Sequence, residues 1–345
     1  MAEIPLTRGQ HIILFWEMLG KIGAPTESLL EKHKLPALLY GKEDAYLPIK
    51  NSIHFVETAA RAQGITDCGW EIAKLYTVEH LTYGTRLQMA NAPTLFQALR
   101  VACLRTRFEA TNSKMWLEFH KSSLRVCTHL QGTAGHHHLE YPQWIQNILP
   151  IEIVRHFVGR RWAPETMAFE ARYVPGLSVQ ALWPATRFLA AEKSSWIDVP
   201  VEYLGLTPIN KERDDNTDLE SALENPNSLI HSLRLLLPAY IDGKTPSLRD
   251  IADMANTSTR SLQRLLAEAG MGYRDILNTV RFEKAAHLLK ETDIKITDIA
   301  MSMGYSSAAH FTRAFQNVAG VPPFKFRLFH RISAWKDVGL AESGK

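Results

Sequence analysis

Two similar stretches decide the fold of the C-terminal part of this chain: SLRDIADMANTSTRSLQRLLAEAG at residues 247–270 and ITDIAMSMGYSSAAHFTRAFQNVAG at residues 296–320. In each stretch apolar residues recur at helical spacing, stop at a short turn, and then recur again. The turns begin at Asn256 and at Gly304. Two short helices joined by a tight turn cannot bury both apolar stripes alone, but they can do so at a steep angle around a third helix. The sequence therefore predicts two helix-turn-helix units.

The two stretches align as a short internal repeat. Asp250 corresponds to Asp298 at an offset of 48, whereas Arg264 corresponds to Arg313 at an offset of 49, so the second turn has one extra residue. Between the units, residues 273–290 have the spacing of one helix, about 27 Å long at 1.5 Å per residue. Such a rod can hold two helices about one turn of DNA, roughly 34 Å, apart on one face of a duplex.

The second helix of each unit carries side chains that suit the major groove of DNA. In the first unit the apolar positions leave Arg260, Gln263 and Arg264 on a common outer face, because residues three and four apart are neighbours on a helix. Arg can pair with guanine and Gln with adenine. The corresponding outer residues of the second unit are Ala309, His310 and Arg313. An ordinary helical bundle could also expose Arg and Gln, but two units with matched cores and matched outer arginines favour DNA binding.

Four residues are predicted to contact DNA phosphates. Ser258 and Ser307 each lie four residues before the first core residue of their helix, which is typical of an N-cap. Backbone amides at such a helix start can also hold a phosphate. Arg281 and Lys284 on the connecting helix supply positive charge for further phosphate contacts.

Positive charge is concentrated in this part of the chain. The 345 residues have a net charge of only +3, but residues 228–331 contain 14 Lys and Arg against 9 Asp and Glu, a net charge of +5. The remainder therefore carries a net charge of −2. This distribution is what phosphate binding requires.

The cysteines and the N-terminus indicate a cytoplasmic protein. Cys68, Cys103 and Cys127 form an odd, sparse set without a CxxC motif, which argues against a disulfide framework or a structural zinc site. The first residues lack the pattern of a secretory leader. The apolar run at residues 12–19 is too short for a bilayer, which takes roughly 20 residues. We therefore expect no membrane partner and a location in the cytoplasm, at the nucleoid.

Composition and periodicity divide the chain into an α+β N-terminal domain and an all-α DNA-binding domain with two helix-turn-helix motifs joined by a long helix. A polar, acidic linker without aromatic residues separates them. A domain of about 200 residues can bury a large core and enclose a ligand. The predicted ranges of the sensor domain, linker, DNA-binding domain and tail are 1–206, 207–227, 228–331 and 332–345.

In the N-terminal domain helices come first and short strands follow. We expect Thr7 to cap a first helix. Residues 115–119 and 124–130 read as the two strands of a hairpin. Pro142 begins a later helix, which we expect to be broken or bent at Pro150 because proline removes a backbone hydrogen bond.

Residues 230–331 resemble the DNA-binding domain of the AraC/XylS family of bacterial transcription regulators. The features that carry this resemblance are SLQRLL, Arg281 with the following AAHLL, ITDIAMSMGYSSAAHFTRAF and the closing GVPPFKFR. The resemblance implies a duplex promoter or operator as partner. It also implies base-facing positions at Arg260, Gln263, Arg264, Ala308, Ala309, His310 and Arg313.

The chain departs from the family pattern in two places. Asn256 stands where the family often has glycine, but Asn tolerates a left-handed backbone, so we expect the turn to be kept. Ala308 and Ala309 stand where long polar side chains would read bases. Direct reading by the second unit then depends on His310 and Arg313, with contacts of the alanines to thymine methyl groups.

The N-terminal half resembles the domain labelled arabinose-binding in regulators of the ornithine-utilisation and virulence type. The similarity is carried by GAP, LP, PTL and RFLAAEKSSWIDVPVEYLGLTPIN. It implies a transcriptional activator that is often dimeric, works with RNA polymerase, and senses a small molecule with its N-terminal half. The sequence names neither the effector nor the residues that bind it.

Two other classes of function remain open. The first is an enzyme fused to a DNA-binding domain, as in some repair proteins, which would need a reactive cysteine. The second is a ligand-independent regulator whose N-terminal half only dimerises. The chain lacks GxSxG, HExxH, P-loop and GxGxxG motifs, so we expect neither catalytic residues nor a cofactor. The run of histidines at residues 136–138 reads as a solvated loop rather than a metal site, because adjacent side chains cannot all face one ion.

Overall fold

The computed structural model describes residues 3–133, 138–208 and 228–330. Two compact units are present, one of residues 5–226 and one that contains residues 227–345. The predicted fold class is confirmed: a sheet-containing α+β region precedes a helical region. Most of the predicted linker and almost all of the tail lie outside the described residues, and the domain boundaries stay predictions.

The α+β unit is built from short elements. Its helices are α1 (Gly9–Lys21), α2 (Thr26–Lys32), α3 (Ile49–Ala62), α4 (Cys68–Ala73), α5 (Tyr83–Ala90), α6 (Leu95–Glu109), α7 (Glu140–Val158) and α8 (Leu177–Leu182). Its strands are β1 (Leu6–Arg8), β2 (Tyr46–Pro48), β3 (Ser113–His120), β4 (Ser123–Leu130), β5 (Thr166–Ala168), β6 (Arg187–Leu189) and β7 (Ser195–Pro200). Short 3-10 turns lie at Val78–His80 and Val201–Tyr203.

The strands form two sheets. Strands β1 and β2 make a small antiparallel pair, in which Thr7 lies opposite Leu47. The larger sheet has the order β3-β4-β7-β5-β6 and is antiparallel except between β5 and β6. The predicted hairpin is confirmed as β3–β4, where His120 pairs with Ser123 across a two-residue loop. Lys121 in that loop has φ 53°, a left-handed conformation that such tight hairpins need. Helices α6 and α7 pack on this sheet.

Two expectations for this unit are wrong. Thr7 does not cap α1, because it belongs to β1 and its hydroxyl donates to the carbonyl of Glu109; α1 begins at Gly9 instead. Of the expected break or bend at Pro150, the break is wrong, since α7 runs through the proline from Glu140 to Val158, and the bend stays a prediction. The neighbours Leu149 and Ile151 are buried, so apolar packing on both sides of the proline offsets the missing hydrogen bond.

A buried ion pair ties β1 to α6. Nη1 of Arg8 lies 3.0 Å from Oε2 of Glu109, and the two side chains are only 5% and 8% exposed. The Glu109 carboxylate also accepts the backbone N–H of Thr82 at 2.9 Å and lies 3.5 Å from Nε2 of His11. Burial raises the pKa of Glu109, but His11, Arg8 and the Thr82 amide lower it by more, so that the pKa is about 2. Glu109 is therefore an ionised carboxylate in the core.

The helical unit is a set of short helices arranged around a long one. Its elements are α9 (Leu229–Leu236), a 3-10 turn at Leu237–Tyr240, α10 (Leu248–Met254), α11 (Thr259–Glu268), α12 (Tyr273–Glu291), α13 (Ile296–Ser302), α14 (Ala308–Ala319) and a last helix over 323–330. Helices α9 and α13 pack on α12, while α11 packs on α9 and α10. None of the helices in the described residues combines the length and the apolar composition that a membrane span requires.

We expect Glu109→Gln to lower the free energy of unfolding by about 3 kcal/mol, because Arg8 loses its buried carboxylate partner and keeps only Asp44, whose side chain is 90% exposed. Glu79→Gln is the matched control. That carboxylate is 72% exposed beside Arg86, so its loss should cost less than about 1 kcal/mol. Chemical unfolding followed by tryptophan fluorescence measures both.

The difference between wild type and Glu109→Gln should depend on pH in a defined direction. The Glu109 pKa is depressed from 4.5 to about 2, so its contribution is complete above about pH 4.5 and is lost as the pH falls towards 2. Equal stability of the two proteins at pH 7 would contradict the structural role of this pair.

Candidate nucleic-acid interface

The recognition helix of the first unit, α11, is capped and anchored as the sequence predicts. Oγ of Ser258 accepts the backbone N–H of Ser261 at 3.1 Å, which confirms Ser258 as the N-cap. Leu262 and Leu266 are buried, and Leu265 is half-buried. These contacts fix which face of α11 remains in solvent.

The exposed face of α11 carries the three predicted base readers. Arg260, Gln263 and Arg264 are all exposed. The Arg264 side chain is 72% exposed, and its Nε lies 3.7 Å from Oε1 of Glu268 one turn later. An exposed pair of this kind contributes little stability, so the guanidinium is free to exchange its partner for a base or a phosphate.

The recognition helix of the second unit, α14, is built in the same way. Oγ of Ser307 accepts the backbone N–H of His310 at 3.2 Å, which confirms the second predicted N-cap. Phe311 and Phe315 are each 2% exposed and form its buried stripe. Of the predicted base-facing residues, Ala309, His310 and Arg313 are exposed and Ala308 is half-buried. The exposed face of α14 therefore presents fewer polar groups than that of α11.

The two turns adopt the same backbone conformation at equivalent positions. Gly304 has φ 77° and the equivalent Asn256 has φ 49°, so both residues lie in the left-handed region. Asn adopts this region more readily than other non-glycine residues, because its short polar side chain can bond locally. The expectation that Asn256 preserves the turn is confirmed. The second turn is also one residue longer, as the repeat predicts, with five residues between α13 and α14 against four between α10 and α11.

Arg281 lies against the second turn. Its guanidinium carbon is 5.8 Å from the centre of the Tyr305 ring, and a Cβ built on Gly304 would lie 3.4 Å from its Nη2. Arg281 is half-buried, as is Lys284. The contact places the Arg281 charge at the junction between α12 and the turn before α14. Its predicted contact with phosphate, and that of Lys284, stay predictions.

Sequence reasoning missed the contacts that hold the second unit together. Phe315 packs against Phe282 of α12 at a ring distance of 4.9 Å and against Phe326 of the last helix at 5.2 Å. Arg327 donates to the carbonyls of Leu289, at the end of α12, and of Ile294. The closing motif GVPPFKFR thus has a structural role, since Arg327 binds one of the last carbonyls of α12 and a carbonyl of the loop that follows it.

The described residues of the histidine run form ordinary polar contacts. Residues 134–137 lie outside the described part, so the contacts concern His138 alone. Its Nδ1 lies 2.8 Å from Oε1 of Glu140, and its Nε2 lies 3.3 Å from Oε1 of Glu57. Across the described ranges, no group of three His, Cys, Asp or Glu side chains is arranged to hold a metal ion.

Comparison with known proteins agrees with this geometry. A family model described as a helix-turn-helix domain matches residues 251–328. The C-terminal unit holds an AraC-type helix-turn-helix domain. The match begins inside α10 and ends inside the last helix, so it includes α11 and α14 with their serine N-caps.

Curated bacterial transcription regulators are among the relatives of this chain. The ornithine utilization regulator of Pseudomonas aeruginosa is 28% identical over 178 residues, which are 52% of this chain and 51% of that protein. The DNA-binding dual transcriptional regulator Rns of Escherichia coli is 31% identical over 119 residues, 31% of this chain and 45% of that protein. The chain thus spans about half the length, or less, of these curated relatives. The resemblances to AraC-type regulators and to the ornithine-utilisation regulator are confirmed.

A solved structure also overlaps most of the chain. The transcriptional regulator CdpR from Pseudomonas aeruginosa is matched over 88% of this chain and 96% of that chain, with 15% identity and a TM-score of 0.38.

We expect Asn256→Ala to lower the free energy of unfolding by about 1 kcal/mol. In a left-handed backbone the alanine Cβ lies too close to the following carbonyl oxygen, and alanine lacks the polar side chain with which Asn bonds locally. Asn256→Gly should be close to neutral, since glycine has no such cost. Asn278→Ala, on the exposed face of α12, is the control and should be neutral or slightly stabilising. Thermal unfolding measures all three, and equal losses at positions 256 and 278 would contradict this description of the turn.

Proposed function

We propose that the protein is a sequence-specific, DNA-binding transcription regulator of the AraC type that acts as an activator. The observation that carries this proposal is the pair α11 and α14. Each helix begins at a serine N-cap, buries an apolar stripe, and leaves a polar face in solvent. A helix presented in this way fits the major groove, with its N-terminal amides near the phosphates.

The two units have unequal shares in the proposed recognition. In α11, Arg260, Gln263 and Arg264 supply a full set of base readers, whereas α14 combines His310 and Arg313 with two alanines. The first unit then reads most of the bases directly. The second adds a narrower preference, through its histidine and arginine and through methyl contacts to thymine. Register comes from phosphate contacts at Ser258, Ser307, Arg281 and Lys284.

The remaining partners follow from the proposed role. The protein binds duplex promoter DNA in the cytoplasm as a homodimer, contacts RNA polymerase, and is controlled through its N-terminal unit. Control by a small-molecule effector is favoured over control by dimerisation alone, because the N-terminal unit contains a cavity with buried polar groups.

The raised pKa values of the three cysteine thiols disfavour a fused repair enzyme. Burial raises the pKa of Cys68 and Cys127 to about 12 and that of Cys103 to about 11. A nucleophilic cysteine instead needs a lowered pKa, since the thiolate is the reactive form. Transfer of an alkyl group from damaged DNA to the purified protein would favour the enzyme after all.

Genome-wide mapping of the DNA bound by the full-length protein tests the function. A short common motif in the bound fragments, upstream of transcribed genes whose expression falls when the protein is removed, supports an activator. Binding without a shared motif contradicts sequence-specific regulation.

We expect Arg264→Ala to weaken binding to the mapped operator by about 1–3 kcal/mol, with a much smaller loss on random DNA, because a bidentate contact to guanine is lost. Arg61→Ala is a closely matched control: both arginines are 72% exposed and each has a glutamate four residues away, but Arg61 lies in the N-terminal unit. Fluorescence anisotropy with both DNAs at one salt concentration gives the affinities. Equal losses on the two DNAs would contradict base reading by Arg264.

A further inference from the structure

A cavity in the α+β unit lies between α1, α3, α6, α7 and the start of β3. Most of its wall is apolar, with Ile12, Phe15, Ile53, Val56, Met115 and Leu149 among its lining residues. The enclosed interior has a volume of about 90 Å³, and the whole pocket with its open mouth includes about 720 Å³ of space between atoms. Because a cavity that holds benzene has about 150 Å³, a body of about one aromatic ring fills the interior and extends into the mouth.

Two buried polar atoms in the cavity wall have no hydrogen-bond partner among the described residues. They are Nδ1 of His11 and Oε1 of Gln146. His11 is only 7% exposed, and its other ring nitrogen, Nε2, lies 3.5 Å from the Glu109 carboxylate. Buried polar atoms are nearly always hydrogen-bonded in proteins, so two such atoms in one cavity indicate a ligand that bonds to them.

The two atoms belong to polar groups that meet at one wall. Nε2 of Gln146 lies 3.4 Å from Oγ of Ser113, which lies 3.0 Å from Oγ1 of Thr106. His11 faces Glu109. Thr106 and Glu109 are three residues apart on α6 and are therefore neighbours on one face of that helix. A single polar group of a small ligand can thus approach both sites while its body stays among the apolar side chains.

The hydrogen-bonding capacity of these two atoms indicates which polar group the ligand carries. Oε1 of Gln146 is an acceptor, and Nδ1 of His11 accepts or donates according to which ring nitrogen carries the proton. A ligand hydroxyl donates to such atoms. It also accepts, so it suits the opposite orientation of the Gln146 amide, in which the amide donates.

The charges of the wall favour no ionised ligand. Glu109 is paired with Arg8 at 3.0 Å, so this pair presents no net charge to a carboxylate or to an ammonium group. In a mostly apolar cavity neither ion recovers its hydration energy.

We propose that this cavity binds a small neutral molecule that carries a hydroxyl group on an apolar body of about one ring. This molecule is the effector of the regulator, and that part of the inference rests on the proposed function. Gln146 and His11 bind the hydroxyl group, and the walls from α1, α3 and α7 enclose the body.

Four probes of similar size test the site on the full-length protein without DNA: phenol, benzene, benzoate and benzylamine. Ligand-observed NMR titration gives their dissociation constants. We expect phenol to bind at least fivefold more tightly than benzene, and the two ions to bind more weakly than benzene. Tighter binding of benzoate or benzylamine than of phenol overturns the proposal, and so does a failure of phenol to bind.

Gln146→Met provides the residue-level test, since it keeps the length of the side chain and removes the amide. Phenol affinity should fall to that of benzene while benzene affinity is unchanged. Gln97→Met, an exposed position on α6, should leave both values as in wild type. Should Gln146→Met fail to fold in a thermal-unfolding check, the order of the four probes on wild type still decides the proposal.

A second measurement separates the site from the proposed function. Operator affinity is measured with and without saturating phenol. A change of at least threefold supports the effector role, whereas binding of phenol without any change overturns that role. Specific DNA binding by a protein that binds no phenol refutes the cavity proposal alone. Phenol binding by a protein that binds no specific DNA refutes the regulator alone.

Discussion

The short helices of the C-terminal unit depend on one constraint, which is that none of them can be stable alone. Helices α10 and α13 have seven residues each, and isolated helices shorter than roughly 12–15 residues are marginal in water. They persist because Ile251 and Ile299 are fully buried against neighbouring helices. Packing in the core therefore determines which face of each of these helices is buried. Arg260 and Arg264 are among the side chains that this packing leaves in solvent, so the exposed face of α11 is a consequence of the core.

This constraint explains why the C-terminal unit could be predicted so far from sequence. A buried stripe on a short helix must repeat at 3.6 residues, and the end of each helix must be capped, so Leu262, Ser258 and Ser307 are visible as local patterns. The contact of Arg281 with Tyr305 is not local, because it joins residues on two sides of a turn whose direction depends on the whole unit. The phenylalanine contacts around Phe315 were missed for the same reason.

Much less of the N-terminal unit could be predicted from sequence, because its important contacts join residues that are far apart in the chain. The hairpin of β3 and β4 follows from local sequence pattern, but strands β1 and β2 are three residues each and pair across about forty positions. Such strands carry too few residues for an alternating pattern. The Arg8–Glu109 pair spans an even longer separation, and a lone Arg at a strand end resembles any surface residue in the sequence. The role of Arg8 depends on its burial, and no local sequence pattern indicates that this arginine is buried.

The difference between the two recognition helices has a physical origin in their anchors. Helix α14 is held by aromatic contacts of Phe282 and Phe326 with Phe315 and of Tyr305 with Phe311, whereas α11 is held by leucines. Large rings fix a helix firmly, and the alanines on the outer face of α14 leave little side-chain entropy to lose on binding. In the proposed function, helix α11 instead orders two long arginine side chains when it binds DNA. The loss of side-chain entropy is offset only when both arginines form good hydrogen bonds to bases. In the proposed function, discrimination between sequences therefore resides mainly in α11, where a wrong base leaves two arginines and a glutamine without partners, against one arginine and one histidine in α14.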